Sequence, residues 1–335
     1  MLTKKEKYSV AIVGATGLVG TNFIKVIEEY HLPIGEVRLF ASARSSGKII
    51  EVLGKNVQVE ELKEDTLEGI DVALFSAGGS ISKMWAPIFV SHGALVIDNS
   101  SAWRMDENCP LIVPEVNPDK ITLEGIIANP NCSTIQAMLP LKALDQQFHV
   151  ERVNYATYQA VSGSGQKGID DYNRTKNGEK PSFYPYDISK TCIPEIDRFL
   201  ENGYTYEEMK MVNETRKILD RPDLKISATC IRVPIEVGHG VLVKVRLTKR
   251  TSVEEIRQVI ANFEGIVLVD DPMNHQYPTS IIAEGNDLVY VGRIREDISE
   301  DNSYLFYCVA DNVRKGAASN AVQIFLKAIE KVGSV

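Results

Sequence analysis

The apolar positions are most strongly patterned at the start of the chain. In YSVAIVGATGLVGTNFIKVIEEY an apolar run at 9–13 enters a stretch with three glycines, and apolar side chains then recur at Leu18, Phe23, Val26 and Ile27, one face of a helix. This predicts a buried strand, a tight glycine turn and a helix, the first half of a βαβ unit. EVRLFAS (36–42), VALFSA (72–77) and ALVIDNSS (94–101) supply further strands, with helical or looped segments between them. Strands alternating with helices predict a parallel, doubly wound sheet.

The texture changes after Ile135. VERVNYATYQAVSG, SATCIRVPIEVGHGVLVKVRLTK and NSYLFYCVADN are long β-rich stretches, with helices expected at about 169–177 and 205–219. Few of these strands are continuously apolar, which predicts a mixed or antiparallel sheet with helices on one face. The last segment, KGAASNAVQIFLKAIEKV, is an amphipathic helix with Ala318, Val322, Phe325, Leu326 and Ile329 on its apolar side, expected to return to the first domain. NGEKPSFYPYDISK (177–190) reads as an irregular excursion.

A length of 335 residues favours two domains. With 44% hydrophobic and 24% charged residues, the composition excludes a disordered or fibrous chain. A net charge of −8 provides no basic footprint for nucleic acid or an anionic membrane, so an anionic ligand must be met by a local pocket. The five cysteines are scattered without a CxxC pair, which argues against a disulfide framework or a metal site and for a reducing, cytoplasmic compartment. Neither a membrane span nor an export signal is expected.

Gly14-Ala-Thr-Gly17-Leu-Val-Gly20 follows a strand and opens a helix, the context in which glycines let the backbone approach a pyrophosphate. A ligand-free turn would look the same. The next strand ends in ASARSSGK, with no acid to bind a ribose 2′-hydroxyl but with Ser42, Arg44 and Ser45 to meet a 2′-phosphate, which favours NADP over NAD. That segment also reads as a solvated basic loop.

Cys132 follows Pro130-Asn131 and precedes STIQAMLPL, so Asn131 is a candidate cap and the thiol falls in the first turn of a helix, where the dipole favours a thiolate. A buried structural cysteine is the alternative. His239 is flanked by glycines in RVPIEVGHGV, seven residues after Arg232, a setting that suits a ligand site or an ordinary turn. In YEEMKMVNETRKIL, Glu207, Lys210 and Glu214 share one helical face, as a surface salt-bridge ladder also would. DNSSAWR ends a strand with Asn99, Ser100, Ser101 and Arg104, where open α/β sheets bind ligands and where a capping turn would look alike.

Taken together, GATGLVG, ASARSSGK, IDNSSAWRM, VPEVN, ANPNCSTIQ, TYQAVSGSGQKG, EEMKMVNETRKIL, RVPIEVGHG and DNVRKGAASNAVQI resemble the aspartate-semialdehyde dehydrogenase family over nearly the whole chain. The resemblance implies an α/β protein: a Rossmann-type NADP-binding domain (1–132 plus about 313–335) and an α+β catalytic and dimerisation domain (133–312). It implies NADPH-dependent reductive dephosphorylation of L-aspartyl 4-phosphate to L-aspartate 4-semialdehyde by a homodimer or homotetramer, in the biosynthesis of lysine, threonine, methionine and diaminopimelate. By resemblance Cys132 is the nucleophile and His239 the general acid/base, while Gln159 orients the substrate. Arg232 would pair with the substrate α-carboxylate, Glu207 with its α-ammonium group, and Arg104, Lys210, Asn131 and Ser100 with phosphate. Gly14, Thr16, Gly17, Leu18, Val19, Arg44, Ser45, Ser162, Gly163 and Asn312 match cofactor positions. N-acetyl-γ-glutamyl-phosphate reductase runs the same chemistry, but its cysteine typically sits in Gly-Cys-Tyr, and an acylated amine would not call for Glu207. A nucleotide-binding module without catalysis would not need Cys132, Gln159, Arg232 and His239 together.

Overall fold

In the first strand, Val10 and Ile12 enter one apolar cluster and Ala11 and Val13 enter a second. Alternation with period two means that the sheet is covered on both faces. The computed structural model describes residues 1–333 and divides into two units: Met1–Pro130 with the C-terminal segment from Ala317, and Asn131–Gly316.

The first unit runs β1 (Tyr8–Val13), α1 (Leu18–Glu29), β2 (Ile34–Ala41), β3 (Ile49–Val52), β4 (Lys55–Glu61), β5 (Val72–Phe75), α2 (Gly79–Ser91), β6 (Leu95–Asp98) and β7 (Ile126–Ala128). These strands form one sheet in the order β3-β4-β2-β1-β5-β6-β7, parallel except for β3 against β4. Strand order reverses beside β1, the switch point at which doubly wound sheets open a crevice for ligands. One face is covered by Phe23, Val26 and Ile27 of α1 together with Val322, Phe325 and Ala328 of the C-terminal helix. The other is covered by Ala86 and Phe89 of α2, with the Phe89 ring edge-on to Phe75 at 5.2 Å.

The second unit contains α3 (Cys132–Phe148), β8 (Val150–Gln159), α4 (Gln166–Lys176), α5 (Tyr206–Leu219), β9 (Lys225–Arg232), β10 (His239–Leu247), α6 (Val253–Ala261), β11 (Ile266–Leu268), α7 (Ser280–Ala283), β12 (Val289–Glu296) and β13 (Ser303–Ala310); the C-terminal helix is α8 (Ser319–Gly333). Its sheet order is β11-β12-β13-β10-β8-β9. The pairs β8/β9 and β11/β12 are parallel and the rest antiparallel, so the sheet is mixed. Val241, Val243 and Val245 are buried on the side covered by α3, while Leu242, Lys244 and Arg246 alternate onto the other face.

Helix α5 starts with a complete capping box, in which Thr205 accepts from the Glu208 N–H and the Glu208 carboxylate accepts from the Thr205 N–H. Residues 177–190 contain no helix or strand. Their path is fixed from α4, where the Asp171 carboxylate accepts from the Ser182 N–H at 2.6 Å and the Tyr184 N–H at 3.0 Å. Among the described residues, no helix is long and apolar enough to cross a membrane.

The Phe325 ring is fully buried and meets Tyr8 of β1 edge-on at 5.8 Å. Phe325→Ala is expected to cost about 3–5 kcal/mol, read as a lower urea midpoint with an unchanged m-value. A loss below about 1 kcal/mol would mean that α8 is not part of this core.

Candidate active site

The start of helix α3 is buried on nearly every side, and within residues 131–141 only Cys132 is partly exposed beyond a few per cent. A buried helix start cannot give its free N–H groups to water. The Asn131 side chain caps α3 as expected, its Oδ1 accepting from the Ser133 N–H at 2.9 Å and the Thr134 N–H at 3.3 Å. The Asn131 N–H donates to the buried Glu214 carboxylate at 2.7 Å. Three of the first N–H groups are thereby satisfied, and the thiol follows directly. A Cβ on Gly316 would lie 2.9 Å from the Cys132 Cβ, so the absence of a side chain there leaves the thiol its room.

One peptide unit holds two further candidates. The Ala160 N–H donates to His239 Nδ1 at 3.0 Å, and its carbonyl accepts from Arg232 Nη1 at 2.7 Å. Both side chains close on Gly163, where a Cβ would sit 2.8 Å from Arg232 Nη1 and 3.0 Å from His239 Nε2. Burial pushes the His239 pKa down, the Arg232 guanidinium adds to this, and Glu207 only partly opposes it, leaving it at about 3. The His239 carbonyl accepts from Gln136 Nε2 at 2.9 Å, which ties the start of β10 to α3 one turn beyond Cys132.

Glu207 joins the rest. Its Oε1 accepts from Asn131 Nδ2 at 2.8 Å and Gln159 Nε2 at 3.1 Å, and its Oε2 accepts from Lys210 Nζ at 3.0 Å. Burial works to raise its pKa but is outweighed by the Lys210 ammonium and the two amides, which bring it down to about 2. Burial likewise works against the Lys210 ammonium and is outweighed by Glu207 and Asp197, which raise its pKa to about 12. Glu207 and Glu214 are 5% and 1% exposed, so this helical face is no surface ladder. Ser162 and Asn312, both expected at a cofactor, are bonded to each other, with Asn312 Nδ2 donating to Ser162 Oγ at 2.9 Å.

In the first unit the glycine loop lies at the switch point. Gly14 has φ +90°, and a Cβ there would come within 2.5 Å of the Ser76 carbonyl after β5. A Cβ on Gly20 would meet the Gly14 carbonyl oxygen, so this turn admits no side chain at either position. Helix α1 has Gly17 at its N-cap, with no side-chain cap and no acid in its first turn. A helix start of that kind fits a phosphate group. Thr16 Oγ1 reaches Ser45 Oγ at 3.5 Å, and Arg44 is exposed. At the end of β6, Ser100 Oγ donates to Asp98 at 2.5 Å, and Arg104 donates to the Asn129 and Asn99 carbonyls at 3.0 and 2.8 Å, bonds that fix the turn. The Asn99 carboxamide is buried and has no partner among the described residues.

The sequence does not single out Gln136, Ala160 or Gly316. Gln136 had one available signal, a polar residue inside an apolar helical run. Ala160 acts through its backbone, which carries no such signal.

Residues 9–124 match the family described as semialdehyde dehydrogenase, NAD binding domain, and residues 141–315 match semialdehyde dehydrogenase, dimerisation domain. The chain is 51% identical to the aspartate-semialdehyde dehydrogenase of Aquifex aeolicus over 95% of its own length and 96% of that protein. It is 44% identical to that of Bacillus subtilis over 94% and 95%. Its fold matches the crystal structure of aspartate semialdehyde dehydrogenase II from Vibrio cholerae complexed with ASA, with TM-score 0.93 at 43% identity over 97% and 99% of the two chains. With a nucleotide-type sheet, a capped cysteine and relatives of this closeness along nearly its full length, the chain belongs to the aspartate-semialdehyde dehydrogenase family.

Proposed function

We propose that the chain reduces L-aspartyl 4-phosphate to L-aspartate 4-semialdehyde through a thioester on Cys132. The observation that carries this reading is the position of Cys132: it is the one incompletely buried residue at a buried, capped helix start, next to the Asn131 whose amide is bonded to Glu207. A thiolate there attacks the acyl phosphate and expels phosphate. A bound reduced nicotinamide supplies hydride to the resulting thioester.

Recognition follows from the fixed charges. Arg232 has one nitrogen on the Ala160 carbonyl and offers the rest of its planar fork to the α-carboxylate. Glu207 attracts the α-ammonium group, Gln159 orients the substrate, and His239 serves its reacting carbonyl. Lys210, Arg104, Asn131 and Ser100 are assigned to phosphate. For the cofactor, the glycine loop with Thr16, Leu18 and Val19 takes the pyrophosphate. Ser162, Gly163 and Asn312 are assigned to the nicotinamide nucleotide as well. Exposed Arg44, Ser45 and the lack of an acid after β2 favour NADP.

The open face of the second sheet supports a homodimer. Tyr158, Leu242, Tyr277 and Tyr307 line a hollow there of about 380 Å³, in the region matched to the dimerisation domain.

Phosphate-dependent NADP reduction is expected with aspartate semialdehyde and not with N-acetylglutamate semialdehyde; activity confined to the second aldehyde would overturn the reading. Cys132→Ala should abolish turnover while nucleotide still binds. Arg44→Ala should weaken NADP binding and leave NAD binding unchanged, as measured by titration; equal losses for both would remove the 2′-phosphate argument. Glu207 has a folded-state pKa of about 2, below the roughly 4.3 of an unfolded glutamate. Its contribution to stability is therefore complete above that higher value and is lost as the pH falls toward the lower one. Glu207→Gln should lower stability at neutral pH and flatten the acid limb of the stability–pH curve; an acid limb parallel to that of the unmodified protein would show that the carboxylate is not held ionised.

A further inference from the structure

We propose that the irregular segment 177–190 is a strap that holds the Ser162–Gly163 turn in place, and that the Tyr184 hydroxyl is the positioning group through which it acts. This rests on the function proposed above, in which that turn meets the nicotinamide nucleotide.

The turn is a single 3₁₀ turn, Val161–Ser164, between the end of β8 and the start of α4. On one side it hangs from the segment that leads into β10: the Val161 N–H donates to the Ile235 carbonyl at 2.8 Å and the Ser162 N–H to the Glu236 carbonyl at 3.1 Å. On the other side its support is Tyr184. The Tyr184 hydroxyl donates to Ser164 Oγ at 3.0 Å, with the Val161 carbonyl as a second acceptor at 3.4 Å, so one phenol touches the first and last residues of the turn. These groups converge on Gly168 in the first turn of α4. A Cβ there would lie 2.5 Å from the Val161 carbonyl oxygen, 2.7 Å from the Tyr184 hydroxyl and 2.8 Å from the Ser164 Cβ, so the glycine leaves the room that the phenol fills.

The phenol is delivered from a fixed base. The Asp171 carboxylate, buried in α4, accepts from the N–H and the hydroxyl of Ser182 at 2.6 and 2.8 Å and from the Tyr184 N–H at 3.0 Å. Pro185, next in the chain, steers the Tyr184 backbone away from helical conformations, and the Phe183 ring packs edge-on against the Tyr184 ring at 5.0 Å. A connection that only had to join α4 to α5 would not need a buried carboxylate with three donors on it.

What the turn carries explains why its place matters. Gly163 passes Arg232 Nη1 and His239 Nε2 with no space for a side chain, and its N–H donates at 3.1 Å to the Ala160 carbonyl that also receives Arg232. Ser162 is bonded to Asn312. A displaced turn would either close on the arginine and histidine or draw Ser162 away from Asn312. Nucleotide binds the placed turn, so freeing it lowers the fraction of molecules ready to bind and weakens affinity by that fraction, while the chemistry of the bound complex is unchanged.

Tyr184→Phe keeps the ring and removes only the hydroxyl. In the nucleotide-free protein, amide hydrogen exchange read by mass spectrometry on peptides covering 160–165 is expected to be about threefold to tenfold faster than in the wild type, the range that corresponds to one hydrogen bond. The Kd for NADP, measured by titration, should rise by a similar factor and KM with it, while kcat stays within about twofold. Unchanged exchange would overturn the proposal. So would unchanged NADP affinity, even with a lower urea midpoint, since a merely structural tyrosine would give that result, and so would a fall in kcat at unchanged KM. Ser164→Ala added to Tyr184→Phe should do nothing further; effects that multiply would mean that the two groups act separately and would equally overturn it. Exchange in the free protein needs neither nucleotide nor turnover, so absence of activity on aspartate semialdehyde would sink the proposed function while the strap is judged on exchange alone.

Discussion

The second unit is organised by a helix whose start is buried. Helix α3 packs against the mixed sheet with its N-terminal half buried on every side, so the N–H groups of its first turn must find partners within the protein. Asn131 and Glu214 supply them, and each commits a further element: Glu214 brings α5 against the start of α3, and the remaining amide of Asn131 reaches Glu207, two turns earlier on the same face of α5. Satisfying one helix end therefore fixes where a thiol, a carboxylate and a lysine stand. Two buried carboxylates at that end also complement the positive end of the helix dipole.

A second economy appears at Ala160. Its N–H orients an imidazole and its carbonyl orients a guanidinium, so a single peptide sets the relation between Arg232 and His239. Because backbone atoms of a strand end do this work, the spacing is as rigid as the sheet. The adjoining glycine is explained by the same crowding: Gly163 has no room for a side chain between the two groups it faces. Positioning through strand and helix ends gives a site more definition than flexible side chains could supply.

The fold was legible where burial follows a period. β1 alternates between two cores and α8 carries a single apolar stripe, and both can be read directly from the order of residues. The first half of α3 carries no stripe because residues 133–141 are buried all round, so only its polar start marked it. The hairpin of β3 and β4 carries little apolar patterning because its strands are short and mostly exposed. In the site, residue types and local setting exposed Cys132 and His239 as candidates. What joins them to the rest lies in bonds between positions 83, 79 and 103 residues apart, two of which use a backbone N–H and one a backbone carbonyl. Atoms shared by every residue leave no signature in a sequence, and Glu207 could pass for one member of a solvent-exposed ladder until its burial was known.

The balance of charge bears on which substrate the site suits. Lys210 stands between two carboxylates, Glu207 at 3.0 Å and Asp197 at 2.9 Å, so this trio has a net negative charge of one. Arg232, buried beside a neutral imidazole, leaves one positive charge. On the proposed function, the zwitterionic head of a free amino acid answers both, with its ammonium against the trio and its carboxylate against the guanidinium. On the proposed function an N-acylated substrate would bring the carboxylate alone and leave the buried Glu207 without the ammonium assigned to it, while Asp197, the other carboxylate on Lys210, is exposed.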